Sequence, residues 1–189
     1  MAILVDDARW KWRGTTWCHL VSDSDLDELH TFAGSLGCRR IGFQGDHYDI
    51  DVVTRDVAIA LGAQPCDSRE LVRRIRSAGL RLRPSAFPKW SLLRRWDSPL
   101  DPRTLRSTDG LERLDGSFER HLGPVFEDSA LTLDGAFALS RGEARALIVY
   151  GRDGGPSIEE DATSGRYHRV DHAGRWAIEL VDPPLRSTE

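Results

Sequence analysis

Residues 2–21, AILVDDARWKWRGTTWCHLV, decide the expected fold. Ala2-Ile3-Leu4-Val5 is an unbroken apolar run that stops at Asp6-Asp7, the pattern of a buried strand ending at a polar rim. Ala8 to Gly14 reads as a loop or turn. From Thr15 to Val21 the side chains alternate, with Trp17, His19 and Val21 on one side and Cys18 and Leu20 on the other. That period of two predicts a second strand.

Helices and strands follow in turn. Ser24 is expected to cap a first helix, with Asp27 reaching back in a weak capping box. Leu26, Leu29, Ala33 and Leu36 form its apolar stripe, and Gly37 ends it in a left-handed conformation. Arg39 to Phe43 reads as a short strand and Gln44 to Ile50 (QGDHYDI) as a polar loop. Asp51 caps a second helix with Val53, Val57, Ala60 and Leu61 inward, closed by Gly62. Ala63 to Cys66 is the next strand. Asp67 and Glu70 cap a third helix with Leu71, Val72, Ile75 and Ala78 towards the core, and Gly79 stops it. This order predicts an α/β fold, a small mostly parallel sheet with flanking helices. In such a sheet the loops after Val5, Phe43 and Cys66 leave at one edge, where ligands bind. Asp6, Asp7, Asp46, His47, Asp49, Asp67 and Ser68 are expected to gather there.

After Leu80 the pattern changes. Five prolines fall between 84 and 124, with Trp90 and Trp96. Short helices are expected at 87–96 and 110–122. Strands are expected at 130–139, 144–150, 166–170 and 175–181, the last two joined by a hairpin turn at Asp171-His172-Ala173-Gly174, and 151–165 reads as a loop. The implied organisation is an α/β domain over 1–83, a Pro- and Trp-containing helical connector over 84–128, and a small strand-containing, β-rich region over 129–189.

The 189 residues are 40% hydrophobic and 30% charged, enough for a packed core and far from a disordered composition. The start has only the short apolar run Met1 to Val5 before Asp6, and no 18-residue apolar run occurs. The expectation is a cytoplasmic protein with no membrane span. Three cysteines without metal or redox spacing fit free thiols. The net charge of −4 is uneven: residues 69–96 hold nine basic side chains and one acid. Such a segment attracts phosphate polyanions. A solvated helix face is the plainer account, because 24 of the 26 basic residues in the chain are arginine.

Several residues carry candidate chemistry. A carboxylate of Asp6-Asp7 at a strand end can bind a divalent cation or position water, or simply mark a strand exit. His47 can move a proton near neutral pH, with Asp49 orienting its ring or sharing an ion; alternatively His47 bonds loop backbone and Asp49 caps the next helix. His19 and His30 each read either as core residues or as members of one polar site. Arg55, Ser68 and Arg69 sit in the first turns of helices, where an anion is favoured. Trp10, Lys11, Trp12, Arg13 and Trp17 alternate aromatic and basic groups. That pattern suits base stacking, or tryptophans sealing a small sheet. His168 and His172 flank the later hairpin with no partner carboxylate pattern.

Val5-Asp6-Asp7, Cys18-His19-Leu20, Ser22-Asp23, Glu28-Leu29-His30, His47-Tyr48-Asp49, Arg55, Gly62-Ala63 and Arg69-Glu70 carry a family resemblance. Residues 3 to about 82 resemble a bacterial and phage family, number 4031 among the domains of unknown function. The resemblance implies a domain boundary and a shared polar site at Asp6, Asp7, His19, His30, His47, Asp49 and Arg55, without implying a mechanism. Residues 90–189 carry no resemblance.

The leading expectation is a hydrolase, phosphoesterase or nuclease-like, acting on a nucleotide or nucleic-acid phosphoester. Asp6, Asp7, His19, His47 and Asp49 form its candidate catalytic set. Asp6, His47 and Asp49 are the candidate ligands of a divalent metal ion, and Arg55, Ser68, Arg69, Trp10 and Trp12 contact substrate. Two alternatives stand beside it: a non-catalytic nucleic-acid or nucleotide binding module, and a structural or protein-interaction component.

Overall fold

β1 (Ile3–Val5) is buried along its whole length, as its unbroken apolar run requires. Ile3 and Val5 pack in one cluster with Cys18, Leu20, Leu29, Ala33 and Ala58, while Leu4 points the other way into a second cluster with Val21, Leu71 and Ile75. The computed structural model describes residues 2–83, 86–105, 133–152, 155–156 and 167–182. They form two compact units, 2–87 and 88 onward.

In the first unit, β2 (Trp10–Trp12) and β3 (Thr15–Ser22) are joined by Arg13 and Gly14, both at positive φ (50° and 80°), a two-residue hairpin turn. β3 pairs antiparallel with β2, with β1 and with β4 (Tyr48–Asp51). β5 (Gln64–Pro65) lies beside β1, the sole parallel pair of this sheet among the described residues. α1 (Leu26–Ser35) and α2 (Val52–Ala60) supply Leu29, Ala33 and Ala58 to the first cluster, and α3 (Ser68–Ser77) supplies Leu71 and Ile75 to the second. Helices thus cover both faces of one thin sheet.

The expected mostly parallel sheet is therefore wrong. The chain after β1 returns at once through a tight hairpin, which forces antiparallel pairing. The strand expected at 39–43 is a short 3-10 helix, Arg40–Gly42, outside the sheet. The stretch read as loop, 44–50, instead contains most of β4, paired antiparallel with β3.

Two helix details also differ. The cap of α1 is Asp25, whose carboxylate accepts the Glu28 N–H at 2.8 Å; the Ser22 and Ser24 hydroxyls donate to the Glu28 carboxylate instead. α2 turns its expected core stripe outward: Val53 is 68% and Leu61 54% exposed, while Ala58 is fully buried. Its rotation is set by its polar anchors. Asp51 caps the Thr54 N–H, and the Arg55 Nε donates to the Asp6 carbonyl at 2.7 Å.

The second unit is a wholly antiparallel sheet in the order β6-β7-β8-β10-β9, formed by β6 (Ser91–Leu100), β7 (Leu133–Arg141), β8 (Ala144–Arg152), β9 (Tyr167–His172) and β10 (Arg175–Asp182). Its core contains Leu100, Leu105, Leu133, Leu147, Val149, Trp176, Ile178 and Leu180. The helix expected at 87–96 is mostly β6, because pairing with β7 overrides the helix preference of Leu-Leu-Arg-Arg. Ala173 and Gly174, at φ 50° and 71°, make the expected hairpin turn. The helix expected at 110–122, the start of the strand expected at 130–139, and most of the loop at 151–165 fall outside the described residues. Among the described residues no helix is long and apolar enough to cross a membrane.

Candidate metal centre

The site begins with an irregularity in β1 and β2. Val5 pairs with Leu20 and Trp10 with Trp17, so four residues, Asp6 to Arg9, lie opposite the two residues Cys18 and His19. The Asp6 N–H bonds the His19 carbonyl and the Arg9 N–H the Trp17 carbonyl, closing the ladder around this bulge. A bulge re-aims side chains. Here Asp6 is turned inward and is only 1% exposed.

Asp6 is fully engaged. Its Oδ1 accepts the His19 backbone N–H at 2.7 Å, and its Oδ2 accepts the Ser68 hydroxyl at 2.7 Å and the His19 Nδ1–H at 2.9 Å. Burial alone would raise its pKa; the bonds from the His19 ring, the His19 N–H and Ser68 outweigh it and hold the carboxyl below its ordinary value. The acid expected to bind a cation directly thus stands behind His19.

β4 brings the second half of the site. Register places His19 directly opposite Asp49. Cross-strand partners share a face, so both side chains lie on the face that α3 covers. His47 precedes β4. Its Nδ1 bonds Asp46 Oδ1 at 2.5 Å, and its Nε2 lies 3.5 Å from Asp49 Oδ1. Asp46 is buried, and its other oxygen accepts from Arg81 Nη1 at 2.9 Å and the Leu82 N–H at 3.2 Å. Burial opposes charge on the His47 ring, but the bonds to Asp46 and Asp49 prevail and raise its pKa to about 9. Asp46 is correspondingly lowered: burial raises it, and His47, Arg81 and Leu82 more than compensate. Gly45, at φ 99°, permits the turn into Asp46; a Cβ there would meet the Phe87 ring at 2.6 Å.

His19, His47 and Asp49 each offer a ligand atom, all within 4.8 Å of one another. In both histidines Nδ1 faces a carboxylate, so Nε2 is the nitrogen open to a metal ion, which in His47 must displace the Nε2 proton that faces Asp49. This is the arrangement by which an outer carboxylate fixes the tautomer and raises the basicity of a metal-binding imidazole. Gln44 Nε2 holds Asp49 Oδ2 at 2.6 Å. Asp49 Oδ1 is buried and makes no close hydrogen bond among the described residues beyond its 3.5 Å ion pair with His47 Nε2, which leaves acceptor capacity for a cation. The three side chains are partly exposed, so the centre opens to solvent.

The remaining sequence candidates divide. Trp10 packs on the His19 ring at 4.6 Å, and His19 meets the His47 ring edge-on at 5.1 Å. Arg55 anchors the strand exit, bonded to the Asp6 carbonyl and 3.5 Å from Asp7. Ser68 joins through Asp6. Asp7 is exposed and pairs with Arg9 at 2.7 Å. Trp12 lies against Trp17 on the surface, and Arg69 faces outward on α3. His30 is a core residue on the opposite face, bonded through Nδ1 to the Tyr48 hydroxyl at 2.8 Å. Asp67 caps α3 through the Arg69 and Glu70 N–H groups. The cysteines are free thiols outside the ligand cluster, and burial pushes Cys18 up to about 12. The sequence placed Asp46 at the expected rim without a chemical role, and gave no place to Gln44 or Arg81. The adjacent pair Asp46-His47 was the one available signal.

Comparison with curated proteins finds no match, and comparison with solved structures finds none. Residues 3–78 match the model of the family described as "Protein of unknown function (DUF4031)". Asp6, His19, Asp46, His47 and Asp49 all lie within that stretch, so the candidate metal centre falls inside the part of the chain that is similar to this family.

Proposed function

We propose that the N-terminal unit is a divalent-metal-dependent hydrolase of phosphoesters in a nucleotide or nucleic acid. The observation that carries this reading is the pair of imidazoles, each with Nδ1 tied to a buried aspartate, gathered within 4.8 Å of a buried Asp49 oxygen that makes no close hydrogen bond among the described residues. Two nitrogens and one carboxylate oxygen suit Zn²⁺ with an open position, and the imidazoles disfavour Mg²⁺. A bound cation there supplies Lewis acidity and a water deprotonated near neutral pH. In the hydrolysis the water oxygen joins phosphorus, the P–O ester bond breaks, and a proton passes to the departing alcohol. The chain's own part is positioning. Asp6 and Asp46 hold the two rings through Nδ1 so that Nε2 is the atom offered to the ion, Gln44 fixes Asp49, and Arg55 adds positive charge at the same rim for a phosphate.

A second reading, nucleotide or nucleic-acid binding without turnover, is favoured by the aromatic groups. Trp12 is 52% exposed with the Arg13 guanidinium 4.4 Å from its ring centroid. Metal analysis and titration calorimetry with Zn²⁺ and Mn²⁺, followed by turnover of bis(p-nitrophenyl) phosphate, separate the two. One metal equivalent in the wild type, lost in His19→Ala, His47→Ala and Asp49→Ala together with turnover, supports the hydrolase. Turnover that survives Asp49→Ala refutes the site, and metal binding without turnover leaves the binding reading.

A further inference from the structure

The segment after Asp67 carries a surface that the metal centre does not use. Arg69, Arg73 and Arg76 recur at four- and three-residue spacing on α3, a single stripe about 10 Å long. They line a groove of about 490 Å³ together with Ser68, Val72 and Ser77. A second groove, of about 340 Å³, continues past the helix end and is lined by Arg76, Gly79, Arg81, Leu82 and Arg83. Arg76 lines both, so the two grooves adjoin at this residue and together make an arginine-lined trough on either side of it. Arg73 is paired with Glu70 and Arg81 with Asp46. Arg69, Arg76 and Arg83 are exposed and make no ion pair among the described residues. Exposed guanidinium groups close together raise the local positive potential, which attracts phosphate oxygens.

Both parts of the trough touch the residues that hold the histidines. In the first groove, the Ser68 hydroxyl bonds the same Asp6 oxygen as the His19 ring. In the second, Arg81 bonds Asp46, which holds the His47 ring. The cationic surface therefore begins and ends one residue behind the two imidazoles. A compact mononucleotide has no use for a trough of this length, whereas a polymer with one phosphate per residue does.

We propose that this trough binds the phosphodiester backbone of a polynucleotide and presents it to the metal centre, so that the substrate class is a nucleic-acid strand and not a free nucleotide. The proposal rests on the hydrolase reading for the chemistry, but the binding surface stands on its own observations. Arg69, Arg76 and Arg83 contact phosphates without reading bases, so affinity is insensitive to sequence and strongly dependent on salt.

The test uses the full chain and its Arg69→Gln, Arg76→Gln, Arg83→Gln triple variant. Anisotropy with a fluorescein-labelled single-stranded oligonucleotide is measured across a salt series, with polyglutamate as competitor. Turnover of the oligonucleotide is compared with that of bis(p-nitrophenyl) phosphate, and metal content and thermal unfolding serve as fold controls. The expected result is weaker binding by the variant, roughly tenfold or more at low salt, and a slope of log affinity against log salt shallower by about 2. The ratio of oligonucleotide to small-ester turnover falls with it. No oligonucleotide binding by the wild type at low salt, or equal binding by a folded variant, overturns the trough. Competition by polyglutamate as strong as by unlabelled oligonucleotide overturns the ligand class. The expected binding without turnover of either substrate keeps the trough and removes the hydrolase.

Discussion

Asp6 shows how one buried carboxylate sets the state of a neighbour. It accepts from the Nδ1–H of His19, which leaves Nε2 as the nitrogen open to the proposed metal ion. In Asp6→Asn the side chain is nearly isosteric, but an amide N–H facing Nδ1 favours the opposite tautomer and puts the proton on Nε2. Zn²⁺ affinity measured by calorimetry is expected to fall about 10- to 100-fold with the fold intact; wild-type affinity would remove the positioning role. His47 gives a pH signature in the metal-free protein. Its folded pKa of about 9 exceeds its ordinary 6.5, so the fold favours the protonated ring. That contribution, at most about 3 kcal/mol, is complete below pH 6.5 and is lost as pH rises through about 9. With chelator present, urea midpoints are expected to decline over that window, and Asp46→Asn is expected to flatten the decline.

At the scale of the element, α2 is the instructive case. Two faces compete along it: Val53, Val57 and Leu61 form the more apolar one, yet Ala58 and the partly buried Ile59 face the sheet. The Asp51 cap and the bond from Arg55 to the Asp6 carbonyl fix the rotation, and a small residue lets the helix sit close. Val53→Lys and Val57→Lys are therefore expected to change unfolding free energy by no more than about 0.5 kcal/mol each. Ala58→Leu is expected to cost about 1–3 kcal/mol through overpacking. Urea denaturation of the three variants distinguishes this rotation from the one the sequence suggests, which reverses the ranking. β4 teaches a related lesson. Its four residues lie in a stretch whose polar composition suggests loop, and pairing with β3 makes them a strand.

At the scale of the whole molecule, the first unit draws both of its core clusters from residues 2–87. A 1–87 fragment is expected to unfold cooperatively and to bind one metal equivalent. A 1–78 fragment, which ends with the family match, lacks Arg81 and Leu82 on Asp46 and the Phe87 ring over Gly45. It is expected to bind the metal more weakly and to melt at a lower temperature. Calorimetry and thermal unfolding of the two fragments check both statements, and equal behaviour would show that 79–87 contributes nothing to the centre.

Local chemistry was legible in the chain itself. The apolar run of β1, the alternation of β3, the Asp51 and Asp67 caps and the glycine stops at 37, 62 and 79 follow from period, hydrogen-bonding capacity and φ preference, all of which act within a few residues. Strand direction, the bulge at Asp6 to Arg9 and the register of His19 against Asp49 were decided only in three dimensions. Alternation is the same for a parallel and an antiparallel neighbour, so it does not specify which strand pairs with which. The division of labour among the acids, Asp49 in the candidate ligand cluster and Asp6 and Asp46 behind the histidines, depends on those long-range pairings and had no local signature beyond the adjacency of Asp46 and His47.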